Sequence, residues 1–560
     1  MRIAVVADGE GGGWLRELGS GSSPVRHVPA LAPAVHEAEH AGPEPPRWVW
    51  SGWEDLYPEL VRAGVRVLRC HDLALVEALL LGYEARHGEP CSLGAAWARL
   101  HGLPVPDDPV RGAGEGTHAQ PALFEADRST LPPGTDRITA VAEVHEDQQK
   151  RITALDGAER VRLLAAVESA AGLAAAEMSH DGLPWRPDVH DQVLTELLGP
   201  RPQSGHRPRE LADLAARISR TFGHDLNPDS PAQVLRALSR AGHPVDSTRS
   251  WILEQVNHPA APLLLRYKEL SRLHSACGWT WLHTWVRTRK GPSGQLLGRF
   301  HPDYVVGGVV SGRWATRGGG ALQIPKAVRR AVRADPGWVL VRADAGQLEP
   351  RILAAVSGDR ALAEAAAEED LYATLAEHVA GDRERAKIGV LSALYGQTSG
   401  DAVPLLAMMR RSYPRALEYV DAAARTGENG GTVRSWLGRT SPAPRTWDTT
   451  VSAPDGDRRR RAQGRFTRNF VVQAGAAEWA MVLLASLRQR LVEVAGPLPE
   501  GAGVVFFMHD EVVLHVPREL ADTAVRAMSE AEIRTRKILF GQTPVRFPLA
   551  TTVTDERSHL

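Results

Sequence analysis

Cysteine is scarce in this chain of 560 residues, with only Cys70, Cys91 and Cys277. They lie too far apart for a Cys-x-x-Cys metal site and are too few for a disulfide framework, so three buried thiols in a reducing compartment are expected. Net charge is nearly absent too, because 66 Lys and Arg balance 67 Asp and Glu. Global charge therefore identifies no partner, and any nucleic-acid surface must be a local patch. No uninterrupted apolar stretch approaches the roughly 20 residues of a membrane span. The opening "MRIAVVADGEGGGW" reaches Asp8 and Glu10 before a secretory apolar core can form. A soluble, cytoplasmic protein without membrane association is the expectation. No fixed-period repeat is present.

What is present is ordinary globular composition, 43% hydrophobic and 24% charged, in a chain long enough for two or three domains. Residues 20–48 and 103–135 are dense in Pro, Gly and Ser, as linkers are, and frame a small N-terminal unit. From about residue 137 the apolar spacing turns helical, and a mostly helical middle runs to about 290. Within it "NPDSPAQVLRAL" predicts a helix start, with Ser230 as cap, Pro231 in the first turn and Gln233 closing a capping box. Beyond 300, "GWVLVRADAGQLEPRILAAV" predicts a buried strand ending at Asp344 and running into a helix. "GVVFFMHDEVVLHVP" predicts a hairpin turning at His509-Asp510.

An ionised carboxylate at the end of an apolar strand is costly to desolvate unless a cation or hydrogen bonds compensate it. Asp344 and Asp510 occupy such places. If their strands are sheet neighbours, the pair forms an oxygen-rich site suited to Mg²⁺. Two ions about 3.5–4 Å apart would then serve an in-line phosphoryl transfer. Asp is also a common turn residue, so either aspartate alone means little.

Three further segments bear on that choice. In "RERAKIGVLSALYGQ", Arg383, Lys387, Leu391 and Tyr395 fall at successive i+4 steps, a helical stripe roughly 18 Å long. Two cations, then an apolar and an aromatic group, suit a nucleoside triphosphate. Arg465, Asn469 and Gln473 form a second stripe, polar beside apolar Phe470, Val471 and Val472. "SGRWATRGGGALQIPKAVRRAVRAD" combines glycines that let a ligand approach the backbone with Arg313, Arg317, Arg329, Arg330 and Arg333 for phosphates.

Taken in order, "SGRWAT…LQIP", "DAGQLEPRILA", RxxxKxxxLxxxYG, RxxxNxxxQ and HDE resemble the family A DNA polymerases, the DNA polymerase I type. The resemblance covers about residues 155 to 555. It implies a mixed α+β right-hand architecture behind a small α/β exonuclease-like domain at 1–150. The palm would be 151–180, 300–360 and 450–560, the thumb 181–299 and the fingers 361–449. Asp344 and Asp510, with the carbonyl of Ala345, would bind two Mg²⁺ ions; Glu511 would sit beside the metals and His509 near the primer end. Arg383 and Lys387 would hold the triphosphate, Lys387 protonating the leaving pyrophosphate, and Tyr395 would pack beside the templating base. Glu349 would crowd the sugar 2′ position. Arg313, Gln323, Gln347, Arg465, Asn469 and Gln473 would contact primer, template or the new pair. The resemblance thus implies a monomeric enzyme of repair or gap filling that takes primer-template DNA and dNTPs. A DNA-binding protein with this fold but no synthesis is the rival, and a two-metal phosphohydrolase a third reading.

Departures accompany the likeness. Motif A usually reads Asp-Tyr-Ser-Gln but is Asp344-Ala345-Gly346-Gln347 here; Leu391 replaces a Phe or Tyr, and "NLQNIP" is shortened to "ALQIP". Altered nucleotide affinity and sugar discrimination are expected. For the family's 3′ to 5′ exonuclease the chain offers Asp8, Glu10, Asp72 and Asp147, with Glu143 where a tyrosine belongs, in a region that looks short of strands. A degenerate domain with proofreading lost is expected. Nothing resembles the 5′ nuclease of longer relatives. Arg458 to Arg461 are expected to meet DNA backbone or solvent.

Overall fold

The computed structural model describes residues 1–19, 23–109, 130–203, 205–290, 294, 296–377, 382–396, 402–444 and 453–555. Most of the second linker stretch, 110–129, lies outside the described residues. The chain forms two compact units. One comprises Met1–Asp181, Asp303–Arg317 and Val341–Val553, the other Gly182–Pro302, Gly318–Leu340 and the residues from Thr554.

The first unit opens on a five-stranded sheet, which overturns the expectation of few strands. Its members are short: β1 (Arg2–Ala7), β2 (Gly13–Leu18), β3 (Arg26–Val28), β4 (Arg47–Trp50) and β5 (Arg69–Asp72). Runs of three to six residues cut by Gly- and Pro-rich loops carry too little alternation to read from sequence. The order is β3-β2-β1-β4-β5, with β1, β4 and β5 parallel and β2 antiparallel to both its neighbours. The predicted helices follow as Arg137–Thr153 and Ala158–Asp181. Ile138, Val141 and Val144 of the first pack on Ala4, Val6 and Val49 of the sheet.

In the second unit, β6 (Leu183–Trp185), β7 (Val286–Lys290) and β8 (Leu296–Phe300) form an antiparallel sheet ordered β6-β8-β7. Trp185 and Phe300 of this sheet pack with Trp281, the rings tilted or edge-on with centroids 5.0–5.9 Å apart. The predicted helix spans Pro231–Arg240, and Ser230 accepts from the Gln233 amide at 3.4 Å. The capping box is not closed, because the Gln233 side chain accepts instead from the Asn227 amide at 2.8 Å.

The remaining strands are β9 (Tyr304–Val305), β10 (Ala315–Thr316), β11 (Trp338–Ala345), β12 (Gly503–Met508), β13 (Glu511–Pro517) and β14 (Leu549–Thr554). Four of them form a sheet ordered β12-β13-β11-β14. Met508 pairs with Glu511, so the hairpin turns at His509-Asp510 as expected.

Behind this sheet runs the 43-residue helix Ala453–Ala495. Over 18 residues its mean hydropathy reaches 1.6, so by length and composition it is apolar enough to cross a membrane, although it is not an uninterrupted apolar run. That window is 89% buried within the protein, where Trp479, Leu484 and Leu487 are almost wholly enclosed. Gln473 and Glu478 interrupt the run in sequence, yet Glu478 is buried as a paired group: it accepts from the Ser435 hydroxyl and from the Leu437 amide at 3.1 Å. All three cysteines are free, Cys70 and Cys277 buried as expected and Cys91 only half-buried.

Candidate active site

Strand β11 ends beside the β12–β13 hairpin, and the Ala345 amide donates to the Asp510 carbonyl at 3.0 Å. That bond brings the Asp344 and Asp510 carboxylates to one sheet edge, half-buried. Burial raises the Asp344 carboxyl above its usual value, Arg342 opposing and Glu511 adding to the rise. Asp510 is pushed up to about 6, first by burial and then by the charge of Asp344. Like charges this close, each desolvated, hold a proton or a hard divalent cation far better than an isolated carboxylate. The donor chemistry therefore fits Mg²⁺, with Ala345 next in the chain to supply a carbonyl. Among the described residues no group of three or more His, Cys, Asp and Glu side chains gathers as metal ligands.

The turn carrying Asp510 is strained. His509 has φ of 57°, a left-handed conformation at the first position of a two-residue hairpin loop where glycine is the ordinary choice. Such strain costs on the order of 1–3 kcal/mol and persists only where surrounding structure enforces it. Tyr304 helps to enforce it: its hydroxyl donates to the Phe507 carbonyl at 3.0 Å and accepts from the Phe507 amide at 3.1 Å.

Glu511 points elsewhere. It is 3% exposed and accepts from Arg342 Nε at 2.9 Å, while another nitrogen of the same guanidinium lies 3.3 Å from Asp344. Sequence reasoning missed Arg342, although its place two residues before Asp344 on one strand puts both side chains on the same face.

A cavity of about 280 Å³ adjoins the acidic pair, lined by Arg313, Trp314, Gln347, Glu349, Tyr372, Leu391, Tyr395, Ala476, Phe507, His509 and Asp510 among others. Glu349 is its fixed point. Its carboxylate accepts from the Arg313 guanidinium and, at 2.6 Å, from the Tyr395 hydroxyl. Burial and this carboxylate push the Tyr395 phenol well above its usual value, so it stays a donor. Trp314 packs edge-on to Phe507 with ring centroids 4.9 Å apart.

Leu391 and Tyr395 reach this cavity from the helix Arg383–Tyr395, which Asp382 caps by accepting from the Arg385 amide at 2.8 Å. Arg383 and Lys387 lie nearer its start, so the stripe forms as spaced. Arg383 is exposed, bound to Asp370 at 2.7 Å and poised 5.8 Å from the Tyr372 ring centre. Lys387 is 45% exposed, with Glu384 3.9 Å away.

Gln347 also has positive φ, 58°. Its amide is committed to protein: it donates to Asp370 at 2.7 Å and accepts from the Leu371 amide at 2.9 Å and from Arg351 at 3.2 Å. Arg465 is exposed, and Asn469 and Gln473 half-buried, on one face of the long helix. Asn469 Oδ1 is buried without a hydrogen-bond partner among the described residues. Gln323 is exposed on a short 3₁₀ turn of the other unit. Arg458 to Arg461 are exposed at the start of the long helix, where Arg460 pairs with Asp457 at 2.5 Å. Unforeseen from sequence, Arg468 is buried, donating to the Ala393 carbonyl at 2.6 Å and pairing with Asp421, which ties the stripe-bearing helix to the helix Pro414–Glu428.

The N-terminal carboxylates have local tasks. Asp8 accepts from the Glu10 and Gly12 amides at 2.8 and 2.9 Å and meets His27 at 3.1 Å, while Glu10 is exposed. Asp72 is fully buried; it caps the helix Leu73–Tyr83 through the Leu75 amide at 2.9 Å and takes the Trp53 amide at 2.6 Å. Burial raises its carboxyl to about 7. Asp147 lies 3.5 Å from Arg151, and Glu143 accepts from Trp97 at 2.9 Å and meets His101 at 3.1 Å.

Residues 201–553 match the family model described as DNA polymerase family A. The thermostable DNA polymerase I of Thermus aquaticus is 26% identical over 383 residues, 61% of this chain and 43% of that protein. DNA polymerase I of Chloroflexus aurantiacus is 25% identical over 372 residues, 58% of this chain and 37% of that protein. The chain thus spans about two fifths of the length of these curated relatives. Among solved structures, the POL domain of Pol1 from M. smegmatis, in complex with DNA primer-template and dNTP, matches with a TM-score of 0.72 at 18% identity, covering 99% of this chain and 95% of that one. With a family match over more than half its length and the right-hand polymerase fold, the chain belongs to DNA polymerase family A.

Proposed function

We propose that the chain is a template-directed DNA polymerase that adds dNTPs to a primer 3′ end, working in repair or gap filling. One observation carries this reading: Asp510 of the acidic pair lines the same cavity as Glu349, Leu391 and Tyr395. Phosphoryl transfer and sugar selection would thus share one wall. Asp344 and Asp510, with the Ala345 carbonyl, would hold two Mg²⁺ ions, which when bound supply charge neutralisation and Lewis-acid activation for an in-line displacement.

The remaining steps belong to side chains. Arg383 and Lys387 bind the triphosphate; Arg383 gives up or shares its bond to Asp370 as it does so, and Lys387 Nζ gives a proton to the departing pyrophosphate. Glu349, held from two sides, occupies the space a 2′-hydroxyl would need. Leu391 forms an apolar wall smaller than an aromatic ring, and Tyr395 stands at the templating position. Arg465, Asn469, Gln473 and Gln323 each contact primer or template. Palm, thumb and fingers follow the boundaries inferred from sequence, with residues 1–150 as an exonuclease-like remnant. The burial of Asp72 and the closed turn around Asp8 support loss of proofreading.

Primer extension by the intact protein with Mg²⁺ and dNTPs, beside Asp510→Asn, tests synthesis. DNA binding without extension would favour the rival, a binding protein of this fold. A 3′-mismatched primer incubated with Mg²⁺ and no dNTP tests the remnant, and trimming lost on Asp72→Ala would reject it.

A further inference from the structure

The three parallel strands of the N-terminal sheet each open on an arginine: Arg2 on β1, Arg47 on β4 and Arg69 on β5. Arg2 stands opposite Arg47, and Arg47 opposite Arg69. Three guanidinium stems therefore leave one face of the sheet in a row, about 4.8 Å from strand to strand. Like charges directly opposed on neighbouring strands destabilise a sheet.

Compensation from the protein is thin. Among the described residues no carboxylate lies within 4 Å of the Arg2 or Arg47 guanidinium, and Arg69 has only Glu44, 3.7 Å away on a side chain 81% exposed. Arg47 is half-buried and donates to the Cys70 carbonyl at 2.9 Å; Arg69 donates to the Pro45 carbonyl. Carbonyls satisfy N–H groups without cancelling charge, and burial together with the other two arginines makes the Arg47 proton easier to lose than usual. The nearby Glu39 carboxylate is occupied by Trp48 Nε1 at 2.6 Å. A cavity of about 280 Å³ is lined by all three arginines with Met1, Leu18 and Glu44.

We propose that this cavity binds a phosphate or diphosphate group through Arg2, Arg47 and Arg69. Three guanidinium forks against one exposed carboxylate leave a net charge that a dianion neutralises, and guanidinium geometry matches phosphate oxygens in pairs. The cavity lies at the amino ends of β1, β4 and β5, whereas Asp8 and Asp72 lie at the carboxyl ends of β1 and β5, so this site is separate from the exonuclease-like carboxylates. It shares no residue with the cavity beside Asp510. The phosphate would come either from free diphosphate or from the 5′ end of a nucleic-acid strand.

Isothermal titration with pyrophosphate, and in parallel with an oligonucleotide carrying a 5′-phosphate or a 5′-hydroxyl, distinguishes these sources. The full chain is used with Arg383→Gln and Lys387→Gln in place, which silences the phosphate-binding helix of the other cavity. Saturable binding of pyrophosphate, or tighter binding of the 5′-phosphorylated strand than of its hydroxyl twin, is expected. Adding Arg47→Gln should weaken that binding by about tenfold or more, the loss of one charge-assisted hydrogen bond, and Arg2→Gln by severalfold. Absence of binding in both arms, or affinities unchanged by Arg2→Gln and Arg47→Gln, overturns the proposal. If circular dichroism shows that the Arg47 variant is unfolded, the exposed Arg2 decides alone.

Discussion

Glu349 holds two donors at once, and this makes the cavity wall a testable device. Arg313 and Glu349 are 30% and 17% exposed, so their ion pair is screened but not dissolved in solvent. A hydrogen bond to a charged group contributes about 1.5–3 kcal/mol when sheltered, and partial exposure reduces that to about 1–2 kcal/mol here. Urea denaturation of Arg313→Gln, Glu349→Gln and the double variant should therefore give a coupling energy of about 1–2 kcal/mol. The same variants bear on substrate choice. With glutamine at 349 the charge is gone and one acceptor oxygen remains where Arg313 and Tyr395 used two, so the side chain is held less firmly and the preference for dNTP over rNTP in kcat/KM should fall at least about tenfold, equivalent to ~1.4 kcal/mol. Tyr395→Phe removes only the 2.6 Å bond and should give a smaller fall. Stability effects additive within about 0.3 kcal/mol would show that the pair does not fix the wall. Coupling with unchanged sugar preference would refute its role in selection.

Three further outcomes are expected. Burial raises Glu478 to about 7, above the 4.5 usual for glutamate, so the folded state binds its proton more tightly; stability is fullest below pH 4.5 and falls by up to about 3 kcal/mol as pH rises through 7. Glu478→Gln should flatten that fall in urea titrations at pH 5 and pH 8, and an equal difference from wild type at both pH values would contradict it. Arg342→Ser removes the guanidinium that bridges Asp344 and Glu511, so Mn²⁺ binding followed by electron paramagnetic resonance should tighten severalfold; unchanged affinity would mean that Arg342 does not oppose the metal. Leu391→Phe should shrink the cavity and shift kcat/KM between dNTP and ddNTP, and identical selectivity would count against its place on the wall.

The acidic pair was legible because desolvation makes a carboxylate at the end of an apolar strand conspicuous, and because hairpin chemistry located the turn at His509-Asp510. The helical stripe was legible because i+4 spacing is local. What stayed hidden depends on pairing between distant segments. Arg342 reaches Glu511 only once β11 lies beside β13, and Arg313 meets Glu349 only once the short β9–β10 ribbon is placed. Nothing in "DAGQLEPR" announces the left-handed backbone that turns the Gln347 amide onto Asp370. Asp72 also carries a local signal: an aspartate just before the apolar run "LALVEALLL" is an N-cap signal, and the structure uses it as one. Glu478 shows the same dependence, since a charge within an apolar helix reads as exposed until its distant partner Ser435 and the Leu437 amide are placed beside it.

The central claim is template-directed synthesis at the cavity beside Asp344 and Asp510. A labelled primer annealed to four templates that differ in the next base, supplied with one dNTP at a time and Mg²⁺, tests it most directly. The account predicts extension only with the complementary dNTP, and none by Asp510→Ala although that variant still retards the duplex in a gel. Extension that ignores the template base, or that survives Asp510→Ala, would contradict it.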